Sequence, residues 1–180
     1  AAFSLEGIQK SPGVFDEQKL RWMNKQHMAN RDAGELLELA EELGSWPRRG
    51  VPGEEATFTL ALERASTLRD VSPDEVSYLF TPPKLRVEHL LGGQPAESVA
   101  VWLEITQRHL GSIEDWSTDR LQGAFTDVRT ELDLTPKQLF PVLRVALTGA
   151  DQTPSLWDVA AALGKQETLT RLERAAALVA

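Results

Sequence analysis

Residues 135–164 read TPKQLFPVLRVALTGADQTPSLWDVAAALG, and this stretch decides the fold. Thr135 is placed to cap a helix, Pro136 suits the first helical position, and Gln138 stands where a capping box needs it. Leu139, Val142, Leu143, Ala146 and Leu147 recur at helical spacing and mark a buried face. Arg144 lies outside that set. Gly149 ends the helix, Thr153-Pro154 repeats the cap-then-proline start, and Gly164 is expected to end the second helix. The spacing predicts a rigid corner, with Arg144 on one arm and Thr153, Pro154, Leu156 and Trp157 opening the other. Pro141 sits inside the first arm, where its missing N–H and its ring are expected to bend the chain.

Helices extend outward from the corner in both directions. Downstream, residues 166–179 bury Leu169, Leu172 and Ala176. Upstream, Ser117 caps a helix with Leu121, Phe125, Val128 and Leu132 inward. Residues 95–110 offer Val99, Trp102, Leu103 and Leu110 to a core, and residues 84–91 form a helix stopped by Gly92-Gly93. Thr81-Pro82-Pro83 is a break and is read as a subdomain boundary.

Before that break, Ser72-Pro73 starts a short helix that ends near Phe80. A helix from Glu54 or Glu55 carries Phe58, Ala61, Leu62, Ala65 and Leu68 inward and bears Arg64. Residues 33–43 are amphipathic, with Leu36, Leu39, Ala40 and Leu43 inward. Between these helices, two prolines and two glycines make residues 45–53 a loop that exposes Trp46. Asp16 caps a helix over residues 17–30, on which Leu20, Met23 and His27 share a face beside Trp22. Residues 1–13 are a lead-in without a core, as in a piece of a longer chain. The fold class is all-α, two consecutive helical bundles: residues 1–32 a connector, 33–80 a first helical subdomain, 81–180 a second.

Composition narrows the function. No apolar run approaches the ~20 residues of a membrane span, and no signal peptide is visible, so the cytoplasm is the expected compartment. With no cysteine, disulfides and thiol-bound zinc are excluded. The net charge of −8 argues globally against a nucleic-acid binder. The acid is concentrated, however, as in Glu35, Glu38, Glu41 and Glu42, and a protein that reads one RNA loop needs only a local basic patch. Catalysis finds no support. His27, His89 and His109 have no partner at metal-ligand spacing and belong to no nucleophile motif, so no catalytic or metal-binding residue is assigned.

LRVALTG followed by TPSLWDVAAALGK, and IQKSPGVFDEQKLRWMN near the N-terminus, resemble the C-terminal anticodon-binding region of bacterial glutamyl-tRNA synthetases. The run Tyr78-Leu79-Phe80 is similar to one that precedes the family's final helical subdomain. The family's KMSKS and HIGH signatures are missing, so the resemblance implies a non-catalytic part of a glutamate–tRNA ligase. The parent would use ATP and a divalent metal, and this part would carry no cofactor. It would bind the anticodon stem-loop of glutamate tRNA as a monomer. The resemblance places Trp22 beside the stem-loop, its alternative being core packing. Arg64, in an R-x-x-T-L pattern, would read the last anticodon base, its alternative being a surface or salt-bridged arginine. Arg144 would meet RNA together with Thr153, Pro154, Leu156 and Trp157, with Lys137 reaching a phosphate; alternatively Arg144 pairs with an acid and Trp157 is core. The family more usually carries its proline two residues before the arginine, whereas Pro141 is three before. The competing function is a helical protein-interaction module without RNA binding, favoured by the acidic balance and the Trp46 loop.

Overall fold

The structure, a computed structural model, describes residues 15–47 and 54–180. The expected lead-in (1–13), and residues 48–53 of the expected loop, lie outside the described residues. The described chain forms α1 (Glu17–Ala29), α2 (Ala33–Glu42), α3 (Glu54–Leu62), α4 (Val87–Leu91), α5 (Ala96–Gly111), α6 (Thr118–Glu131), α7 (Pro136–Thr148) and α8 (Leu156–Val179). Two 3-10 segments, Leu68–Asp70 and Pro73–Leu79, follow α3. No strand occurs among the described residues, and the all-α expectation holds.

Local chemistry sets the boundaries. Asp16 accepts a hydrogen bond from Lys19 N at 3.0 Å, and Asp32 accepts from Gly34 N and Glu35 N at the start of α2. Gln138 accepts from both Thr135 N (3.0 Å) and Thr135 Oγ1 (2.7 Å), fixing the entry to α7. Gly149 closes α7 at φ 72°, in the left-handed region. A Cβ at Gly149 would lie 2.6 Å from Pro83 Cβ, so the Thr81-Pro82-Pro83 break runs directly against the end of α7.

Two hydrophobic clusters form. The larger joins α4–α8 around Leu90, Leu103, Phe125, Leu143 and Leu172. The smaller joins α1–α3 and the Pro73–Leu79 segment around Met28, Leu36, Trp46, Phe58 and Val76. Tyr78 and Leu79 touch both clusters. The α8 helix packs on α5, α6 and α7 and also reaches α3 and the Pro73–Leu79 segment.

Several expectations are corrected. Trp46 is 2% exposed, stacks edge-to-face on Phe58 at 5.3 Å and donates from Nε1 to Glu54 Oε1, so it belongs to the smaller core. Only Met28 of α1 is buried, while Leu20, Trp22 and Met23 are exposed. Polar contacts hold that helix instead: Asn24 donates to Ser66 O (2.7 Å) and Lys25 to Glu63 O (2.8 Å). Leu43 is exposed at the end of α2. The α3 helix stops at Leu62, so Arg64 sits in the turn after it. Thr153-Pro154 does not start α8; Ser155 does, accepting from Asp158 N. Gly164, by contrast, meets its expectation: at φ 75° and ψ 164° it leaves helical geometry, so the Leu156–Val179 span is two helices meeting at a kink there.

Candidate nucleic-acid interface

The α7–α8 corner is built from the inside outward. Leu139, Val142, Leu143, Ala146 and Leu147 are all buried, as their spacing predicts, and Arg144 is left at the edge of that face, half-buried. Its Nε donates to Thr153 Oγ1 at 3.1 Å, and its backbone oxygen accepts from Thr148 Oγ1 at 2.8 Å. The guanidinium therefore leans across the turn on a neutral hydroxyl. Arg144 makes no ion pair among the described residues. One bond to a hydroxyl leaves most of its five donors for a ligand.

Thr148, Ala150 and Gln152 of this corner form one side of a groove of about 500 Å³. The other side is the Pro73–Leu79 segment with Thr81-Pro82-Pro83, and Arg64 also lines the groove. The structure thus brings the Arg64 turn and the end of the α7–α8 corner to one concavity, although they are far apart in sequence; Arg144 itself is not among the residues that line it. Arg64 Nη1 lies 3.4 Å from Glu75 Oε2, both side chains being about half exposed. Such a pair holds its partners weakly, worth about 0–1 kcal/mol. The Tyr78 hydroxyl is buried without a hydrogen-bond partner, and burial pushes its pKa up to about 12, so it stays neutral.

The remaining candidates occupy other places. Lys137 is exposed in the first turn of α7, about 16 Å of helix from Thr148. Trp22 is 62% exposed on α1, whose neighbours Asn24 and Lys25 grip the turn that carries Arg64. Of the other cations on α1, Arg21 is engaged by Glu17 (3.0 Å) and Asp70 (3.3 Å), and the hydrogen bond it donates to Glu17 raises its pKa. Pro154 is half-buried. Leu156 is 1% exposed, so its side chain is a core anchor with no surface to offer. Trp157 is half-buried and packs on the larger cluster. The N-terminus of α8 is already served by Asp158, whose carboxylate meets Ser155 Oγ, so a second anion there would face a like charge.

Arg171 is the residue that sequence reasoning misses. It is 2% exposed, and its Nη1 donates to Tyr78 O and to Leu147 O, each at 2.7 Å, while Nε meets Glu167 at 2.7 Å. A single guanidinium caps the C-terminal turn of α7 and ties it to the segment across the groove. Its sequence setting, an i,i+4 partner of Glu167 on a polar stretch, reads as an ordinary surface pair.

Residues 22–176 match the family described as "Anticodon binding domain". The chain belongs to the anticodon-binding domain family. It is 33% identical to the glutamate–tRNA ligase of Desulfitobacterium hafniense (strain Y51), over 99% of this chain and 38% of that protein. It is 34% identical to the glutamate–tRNA ligase of Thermus thermophilus, over 98% of this chain and 38% of that protein. The anticodon-binding domain thus spans well under half the length of these relatives. Its fold is shared with a glutamate tRNA ligase of Elizabethkingia meningosepticum, at TM-score 0.75 and 19% identity, over 99% of this chain and 36% of that one. No helix among the described residues is long and apolar enough to cross a membrane.

Proposed function

We propose that this domain recognises the anticodon arm of glutamate tRNA as the non-catalytic part of a glutamate–tRNA ligase, acting as a monomer in the cytoplasm. The observation that carries the proposal is the groove where Arg64 and the end of the α7–α8 corner converge, within a chain that matches the anticodon-binding family over residues 22–176. Proteins read RNA sequence in single-stranded loops, by stacking splayed bases and hydrogen-bonding their edges. Two guanidiniums without strong carboxylate partners, beside neutral hydroxyls, suit that task. The strong overall acidity does not oppose it: Asp74 and Glu75 border the groove and would keep unspecific phosphate contacts out. In this reading residues 1–32 connect to the parent's tRNA-stem-contacting part, and 33–80 and 81–180 are the two helical subdomains; the two hydrophobic clusters support the boundary near residue 80, while Met28 packs the end of the connector into the smaller one. In this reading glutamylation with ATP and magnesium falls to the rest of the parent.

The burial of Trp46 removes the exposed aromatic on which the protein-interaction alternative leaned. Fluorescence titration with glutamate tRNA tests the reading, together with the same tRNA carrying a glutamine-type anticodon. The wild-type domain binds the first more tightly, and Arg64→Gln blunts that preference. Equal affinity for both tRNAs in the wild type contradicts anticodon recognition, and an unchanged preference in Arg64→Gln removes Arg64 from the reading surface.

A further inference from the structure

The groove beside Arg64 contains a side chain with no role so far. Gln152 lies in the turn between α7 and α8, one residue before Thr153, with its carboxamide exposed and bound to no group among the described residues. It is held in place from both sides. Asp151 meets His89 Nε2 at 2.6 Å, and Thr153 Oγ1 accepts from Arg144 Nε while donating to Pro154 O. A free amide on a pinned turn loses little conformational entropy on binding, which suits a reader of hydrogen-bond patterns.

The chemistry of the groove selects its occupant. Asp74 and Glu75 on one side repel a phosphate. Pro82 and Pro83 offer flat apolar surface, and Tyr78 stays neutral. Gln152 on the facing side and Ser77 on the near side present uncharged donors and acceptors, the Thr148 hydroxyl being taken up by Arg144 O and Ala150 N. Apolar surface, neutral edge-matching groups and a carboxylate rim fit a heterocyclic base and exclude its phosphate. A glutamine amide donates and accepts at once, so it can pair with two adjacent atoms of a base edge.

From this arrangement we infer that the groove is a subsite for one unpaired nucleobase of the bound RNA, and that Gln152 reads its edge opposite Arg64. The inference rests on the tRNA reading above and adds to it a specificity-determining residue outside the Arg144–Trp157 set.

The test is a binding titration of the whole domain against glutamate tRNA and a panel in which each unpaired anticodon-loop base is replaced in turn. Gln152→Ala, an exposed turn substitution, is expected to weaken binding of unmodified tRNA about tenfold, the scale of one base contact. Discrimination should be lost at a single loop position, with the salt dependence unchanged because no phosphate is released. Combined with Arg64→Gln, the loss should be less than the product of the two single losses, since both side chains serve one base. Two results overturn the subsite: an unchanged affinity, or a uniform loss across the panel with a shallower salt dependence, which would place Gln152 on a phosphate. Failure of the unsubstituted domain to bind any of these tRNAs would bring down the tRNA reading and the subsite together. Tight binding with an indifferent Gln152 would overturn the subsite alone.

Discussion

Arg144 and Arg171 show how the same side chain takes opposite parts on neighbouring helices. Arg144 was legible because every apolar position around it was already assigned to the core, leaving a cation with no packing role. Arg171 was not legible, because its acceptors are the backbone oxygens of Tyr78 and Leu147, and no side-chain pattern announces a carbonyl. Leu156 misled for a related reason: placed in the corner by sequence, it turns its side chain inward to 1% exposure. Buried carbonyls stripped of their donor are costly, so Arg171→Met should destabilise the domain by about 3 kcal/mol. For a chain of 180 residues this corresponds to a melting temperature about 6–12 °C lower. Thermal unfolding followed by circular dichroism measures it, and an unaltered midpoint would mean that Arg171 is not the brace between α7 and the Pro73–Leu79 segment.

At the scale of elements, the sequence yielded helices more readily than their faces. The spacing in α5, α6 and α7 placed Val99, Leu103, Phe125, Val128 and Leu143 correctly, because those helices pack along their full length. On α1 the shared face of Leu20 and Met23 stays exposed, because that helix is moored by Asn24 and Lys25 to backbone oxygens. Sequence reading failed for Trp46, since prolines and glycines show where a loop is but not which way its tryptophan turns. The contact between the end of α3 and the start of α8 has a pH signature. Burial, and then the nearby Asp158 carboxylate, raise the pKa of Glu63, with Lys25 and Arg64 opposing. A carboxylate whose folded pKa is raised weighs against the fold when ionised, and that penalty fades as pH falls through the raised value. Glu63→Gln should therefore raise the melting temperature at pH 7 by about 1–2 °C, the scale of a partly exposed charge contact. The gain should shrink as melts are repeated down through the carboxylate range. A lower midpoint at pH 7 would show that Lys25 and Arg64 outweigh burial at this position.

Across the whole molecule, the two clusters meet at Tyr78 and Leu79, and α8 spans both. That arrangement makes the groove a property of the junction and not of either cluster. Sequence reading could assign Arg64 and Arg144 to separate helices, yet the approach of the Arg64 turn to the end of α7 depends on Pro83 lying against Gly149 and on Arg171 joining the two sides. Gly149 was legible as a helix stop, but its closeness to Pro83 comes from packing between segments distant in sequence. At the centre of the proposed tRNA recognition stands the half-buried Arg144 guanidinium, held by Thr153 with donors to spare. The most direct test is the affinity of Arg144→Ala for glutamate tRNA, measured beside its melting curve. The domain should keep its melting temperature and bind about tenfold more weakly, the scale of a lost charge-assisted hydrogen bond. An affinity equal to that of the unsubstituted domain would contradict it.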